Sequence, residues 1–147
     1  MRILIDADAC PVKEIAARMA KEQNIPLMLF ADTAHELRSD YGEIITVDKG
    51  RDGVDFKIMQ ALRPGDIVLT QDYGLAAMAL GRGALAINQN GLIFDSGNID
   101  GLLMERHTAG KRRRSGGRTK GPPKRTAEDD ARFEEAFAGL IEKHINA

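Results

Sequence analysis

Residues Arg2-Ile3-Leu4-Ile5-Asp6-Ala7-Asp8-Ala9-Cys10-Pro11-Val12 constrain the fold more than any other stretch of the chain. A short apolar run, the kind that makes a buried strand, stops at two aspartates one residue apart. Pro11 then opens a helical segment, where its missing N–H costs nothing. A strand feeding straight into a helix opens a parallel α/β sheet, whose strand carboxyl ends face the crevice where ligands bind. Two carboxylates there repel each other, and keeping both ionised favours a nearby cation. The plain alternative has one aspartate capping the helix and the other in solvent. It accounts for one aspartate better than for two.

The rest of the chain keeps alternating, and the expected fold is an α/β three-layer sandwich with a mostly parallel central sheet. Strands are expected at Ile3–Ile5, Leu27–Phe30, Glu43–Val47, Asp66–Thr70, Ala84–Ile87 and Leu92–Phe94. Helices are expected from Pro11 to Glu22, at Gly53–Leu62 and Leu75–Leu80, and from Asn98 to His107. Asn24 with Pro26, Pro64-Gly65 and Asn90-Gly91 supply the breaks between them. Thr126 followed by Asp129 reads as a capping box, and Phe133, Phe137, Leu140 and Ile141 form one stripe behind it. The chain therefore divides into an α/β domain over 1–108, a basic arm over 109–125 and a C-terminal helix over 126–147 that packs on the same domain.

Composition narrows the function classes. The 147 residues, 43% hydrophobic and 29% charged, suffice for one domain with a real core. No apolar stretch approaches the roughly 20 residues of a membrane span, and the N-terminus lacks a signal peptide's long apolar region. Cys10 stands alone and cannot form an internal disulfide, in keeping with a reducing cytoplasm. The net charge of −1 conceals an asymmetry: nine Lys/Arg and no acid fall between Arg106 and Arg125, leaving the remainder at −10. Lys111, Arg112, Arg113, Arg114, Arg118, Lys120, Lys124 and Arg125 in that window can neutralise phosphates and release counterions, a sequence-independent mode of nucleic-acid binding. Interspersed Gly116, Gly117 and Gly121 let the backbone follow a strand closely, and the lack of apolar periodicity predicts a mobile arm. A solubilising loop, or one pairing with the acidic body, is the plainer account of the same residues. The oligomeric state is left open by the sequence.

Acids recur where elements could converge. Asp6 and Asp8 follow the first strand, Asp52 and Asp55 sit three apart at a helix start, and Asp72 follows the strand ending in Thr70. The helix dipole explains Asp52 well and Asp55 less well. Asp66 precedes its strand and reads as a turn residue at the opposite sheet edge. Carboxylates suit Mg²⁺ or Mn²⁺, and such an ion can polarise a phosphodiester and activate water. No zinc-type spacing competes, since His35, His107 and His144 are far apart. On spacing alone, metal-centred catalysis and scattered caps both fit. Lys13, Lys49 and Arg51 are either phosphate contacts near the crevice or solvated surface. Cys10 reads as a small packing residue, because no arginine follows at the spacing a cysteine phosphatase needs.

Asp6-Ala7-Asp8-Ala9-Cys10-Pro11-Val12, Val54-Asp55-Phe56-Lys57-Ile58 and Gly65-Asp66-Ile67-Val68-Leu69-Thr70-Gln71-Asp72-Tyr73-Gly74-Leu75-Ala76 closely resemble the YaiI/YqxD family of small bacterial proteins. The arm and closing helix resemble it too. That family is grouped with PIN-like nuclease domains, so the resemblance implies a PIN-like fold and a metal-dependent nuclease. It implies catalytic roles for Asp6, Asp55 and Asp72, with Asp8 as a further metal ligand or a group behind the ligands. Asp52 and Thr70 are candidates to orient those ligands, though a helix-start acid and a strand-end threonine have plain explanations as well. The fourth acid usual in such domains has no match; Asp95 follows an edge strand and suits it poorly.

The leading expectation is thus a Mg²⁺- or Mn²⁺-dependent nuclease acting on RNA. A haloacid-dehalogenase-like phosphatase, with Asp6 as nucleophile, Asp8 as acid/base and Thr70 on the phosphate, is a second expectation, though its cap insertion is missing. The third is a non-catalytic protein that binds RNA or metal.

Overall fold

The structure is a computed structural model that describes residues 1–8, 10–32, 37–48, 53–105 and 124–145. Its strands are β1 (Ile3–Asp6), β2 (Leu27–Asp32), β3 (Glu43–Val47), β4 (Ile67–Leu69), β5 (Leu85–Ile87) and β6 (Ile93–Phe94). The helices are α1 (Lys13–Glu22), α2 (Val54–Ala61), α3 (Tyr73–Gly81), α4 (described over 99–105) and α5 (Ala127–Ile145). One sheet runs in the order β3-β2-β1-β4-β5-β6, parallel except for β6. From β1 the chain steps outward to β2 and β3, then returns to lay β4 on the other side. The order reverses between β1 and β4, the position at whose strand carboxyl ends open α/β sheets bind their ligands.

Strand parity sorts the core into layers. Ile3, Ile5 and Ala7, with Leu27, Leu29, Ile67 and Leu69, face α1 and α5. Leu4, Phe30 and Val68 face the opposite way, toward α2 and α3. A smaller cluster of Ala76, Ala86, Phe94 and Ile99 closes the β6 edge, with Tyr73 edge-on to Phe94 at 5.6 Å. Helices on both faces of a parallel sheet make the expected three-layer sandwich.

Local chemistry accounts for the element ends. After α1 the left-handed Asn24 (φ 54°) allows Ile25 N–H to donate to Ala20 O and Asn24 N–H to Lys21 O, the paired bonds that close a helix. At α5, Thr126 N–H donates to Asp129 Oδ2 at 2.8 Å and Asp129 N–H to Thr126 Oγ1 at 3.3 Å, so the capping box forms. Phe133, Phe137, Leu140 and Ile141 are all buried, and α5 lies against α1. Each of those phenylalanines contributes about 1.5–3 kcal/mol of burial. Gly91 (φ 85°) in the β5–β6 turn lets α5 come close, because a Cβ there would meet Arg132 O at 2.8 Å.

Most element boundaries shift by a residue or two from the sequence reading, and two of the shifts bear on the site. β2 continues to Asp32 instead of ending at Phe30, its last residues pairing with Thr46 and Val47 of β3. α3 begins at Tyr73 rather than Leu75, because Asp72 caps it. Among the described residues no helix is long and apolar enough to cross a membrane. The expected arm lies outside the described residues except for Lys124 and Arg125.

Candidate active site

β1 delivers Asp6 to the crevice, and parity decides which way it faces. Ala7, donating to Phe30 O at 2.9 Å, is buried in the layer under α1, as are Cys10 and Val12. Asp6 shares the parity of Leu4 and therefore belongs to the α2/α3 side of the sheet. Thr70 follows Leu69 with the same alternation and is 2% exposed. Its hydroxyl donates to Asp6 Oδ2 at 3.0 Å, and its Oγ1 accepts the Asp72 N–H, also at 3.0 Å. One side chain thus ties the ends of β1 and β4 together across the point where the strand order reverses.

Asp72 then starts α3. Its Oδ1 accepts from Gly74 N–H at 2.9 Å and Leu75 N–H at 3.2 Å, which satisfies amides that a helix N-terminus leaves without partners. Asp55 occupies the first turn of α2, where the helix dipole favours an acid. A Cβ on Gly53 would lie 2.9 Å from Asp55 Oδ1, so the carboxylate folds back over the start of the helix. Asp8 Oδ2 accepts from Asp32 N–H at 3.1 Å, fixing the loop after β1 against the end of β2.

These placements combine on Asp6. Burial pushes its carboxyl up from the ordinary 3.8 to about 6; the Thr70 hydrogen bond opposes this, and repulsion from Asp8, Asp72 and Asp55 adds to it. The structure therefore brings Asp6, Asp8, Asp55 and Asp72 into one electrostatic neighbourhood. Among the described residues no three His, Cys, Asp or Glu side chains converge closely enough to form a metal cage. The donors are all hard carboxylate oxygens, and Mg²⁺ is commonly held by one or two carboxylates, completed by water and substrate phosphates. Chemically the set fits such an ion. Asp52, Lys49, Arg51 and the arm from Lys111 to Lys120 lie outside the described residues.

Asp32 does not stand out in the sequence. It ends β2 with the parity of Met28 and Phe30, so a third strand brings an acid to the same rim on the same face. Continuing the Met28, Phe30 alternation by one more member would find it. Asp66 is more than a turn residue. At 3% exposure its Oδ2 pairs with Arg2 Nη2 at 2.6 Å and accepts from Arg63 N–H at 2.8 Å. Arg2 also donates to Ala61 O, so this pair joins β1, β4 and α2 at the far end of the sheet. Cys10 is buried, and burial pushes its thiol above the ordinary value, in accord with a packing role. Arg125 pairs with Asp130 at 2.7 Å and donates to Asn90 Oδ1 and Gln89 O, anchoring α5 to the β5–β6 turn. Asp95 caps its own turn through Gly97 and Asn98 amides.

The chain has extensive relatives. The family model described as "Uncharacterized BCR, YaiI/YqxD family" matches residues 4–143. A UPF0178 protein of Ruminiclostridium cellulolyticum is 56% identical over 141 residues, covering 96% of this chain and 92% of its own length. One from Clostridium acetobutylicum is 53% identical over 143 residues, covering 96% of this chain and 97% of that one. Another, from Exiguobacterium sibiricum, is 50% identical and covers 96% of both. No solved structure matches the chain. With motifs, length and full-span similarity agreeing, the chain belongs to the YaiI/YqxD family.

Proposed function

We propose that this chain is a divalent-cation-dependent phosphodiesterase of the nuclease type, PIN-like in its site, acting on RNA. The observation that carries the reading is the Thr70 bridge: it fixes Asp6 beside Asp72 at the carboxyl ends of β1 and β4. Asp6, with one of its neighbours Asp8, Asp55 and Asp72 and with water completing the shell, would hold Mg²⁺ or Mn²⁺. When bound, the ion would polarise the phosphodiester and lower the pKa of an attacking water.

The chain's own residues do the rest. Thr70 engages Asp6 Oδ2 and so restrains the rotation of the whole carboxylate at the crevice. Asp72 caps the α3 N-terminus through Oδ1, which holds its own carboxylate at the rim. With its carboxyl raised to about 6, Asp6 carries a proton in mildly acidic solution, and a cation competes with that proton. Lys111–Lys124 would neutralise backbone phosphates beyond the crevice. The phosphatase reading is less well supported, because the single hydroxyl hydrogen of Thr70 is committed to Asp6 instead of a phosphate.

Purified protein should cleave single-stranded RNA with Mn²⁺, and Asp6→Asn should lower the rate by roughly a hundredfold or more with the circular dichroism unchanged. Activity surviving that substitution would remove the assigned site. RNA binding without turnover under any cation would leave a binding protein in its place.

A further inference from the structure

A cavity of about 490 Å³ opens between α1 and the segment 38–41 that leads into β3. Its charged lining holds Lys13, Arg18, Lys21 and Arg38 against Glu14 and Asp40. Outside the 106–125 window the chain carries ten more acids than bases, so a cationic hollow runs against the charge of the body around it. Arg18 is engaged by Glu22 and Glu134, at 3.3 and 2.8 Å. Among the described residues, Lys21 and Arg38 form no ion pair. Their charge is available to a ligand.

The uncharged wall includes Ala17, Leu29 and Tyr41. Tyr41 is locked in place: its hydroxyl donates to Ile25 O at 2.6 Å, and Ser39 Oγ donates to Tyr41 O at 2.6 Å. A cationic groove with a fixed aromatic side chain is the combination that holds single-stranded nucleic acid without sequence preference. Leu29 belongs to the core layer beneath α1, so the cavity lies on the opposite face of the sheet from Asp6. Lys13, in the first turn of α1, marks its crevice end, and Lys21 lies roughly 12 Å further along the helix. A ligand touching both the hollow and the crevice must be a polymer that crosses the rim.

We infer that this cavity is a binding site for the sugar–phosphate backbone of single-stranded RNA, on a segment flanking the one at Asp6. The inference rests on the nuclease reading for its second contact, and the two can fail separately. With the full chain and a chelator present, binding of a fluorescein-labelled oligouridylate is measured by anisotropy for wild type, Lys21→Glu and Arg38→Glu. Each charge reversal should weaken binding roughly fivefold to tenfold and reduce the salt slope by about 0.7 for each phosphate that is no longer neutralised. In wild type, the amide resonances of Ala17 and Tyr41 should shift on adding the oligonucleotide, a readout that does not depend on the variants folding. Unchanged affinity in both folded variants, or unmoved Ala17 and Tyr41 resonances at saturation, overturns the assignment. Mn²⁺-dependent turnover with the same KM in both variants retains the nuclease and overturns the cavity. Resonance shifts at the cavity without turnover retain the cavity and overturn the nuclease.

Discussion

Thr70 and Asp6, 64 residues apart in sequence, meet at 3.0 Å through a hydroxyl that donates to Oδ2. The same hydroxyl oxygen receives the amide of Asp72, so the bond also fixes the start of α3. Removing it therefore has two consequences.

Thr70→Val takes away the donor that lowers the Asp6 carboxyl and the acceptor of a backbone N–H. The Asp6 titration, followed by carboxyl-carbon NMR, should move above about 6. Stability in urea should fall by about 1–3 kcal/mol, the cost of a buried polar group left without a partner. Thr70→Ser keeps the hydroxyl and should restore most of both. Loss of stability with no change in the titration would mean that the contact serves packing alone.

Asp6 should also make stability depend on pH. The folded carboxyl keeps its proton to about 6, while the unfolded one releases it near 3.8. Between those values the folded chain binds more protons, so stability falls as pH rises through the window and levels off above it. The loss amounts to at most about 3 kcal/mol. Asp6→Asn should flatten that part of the urea midpoint profile and be the more stable protein at neutral pH. If a cation binds there, Mn²⁺ should raise the melting temperature of wild type at neutral pH and leave Asp6→Asn unmoved.

At the other end of the sheet, Asp66→Ala would leave Arg2 without its partner at a site where Asp66 is 3% exposed. Breaking one side of a buried ion pair costs about 3–5 kcal/mol, whereas replacing both sides with apolar residues of similar volume is often neutral. Arg2→Met combined with Asp66→Leu should therefore recover much of the loss in urea denaturation, with a remaining penalty from the Arg63 amide. RNA cleavage per folded molecule should be unchanged in all of them. A mild Asp66→Ala would show that solvent reaches Arg2 more easily than its burial suggests.

Most of the secondary structure is legible in the sequence because it depends on near neighbours. Ile3–Ile5 is apolar at every position and buried on both faces, Asn24 closes α1 through its left-handed backbone, and the Thr126–Asp129 box opens a helix whose stripe is the one the sequence displays. The acids after β1 and β4 are visible for the same reason, since a strand's last polar residues announce its end. Asp32 escapes notice because the apolar run of β2 ends one residue before its pairing with β3 does. Arg125 looks like one cation among many, yet its partners Asn90 and Gln89 are about 35 residues away.

By itself, the sequence determined the alternation of strands and helices and which carboxylates stand at strand ends. Periodicity and capping are local, and they survive any arrangement of the pieces. Only the tertiary structure decided that β4 lies beside β1, so that Thr70 reaches Asp6 and Asp66 reaches Arg2. Strand order follows from burying several apolar faces at once, and the charge felt by one carboxyl sums over residues brought near only by that burial. No local pattern carries either quantity.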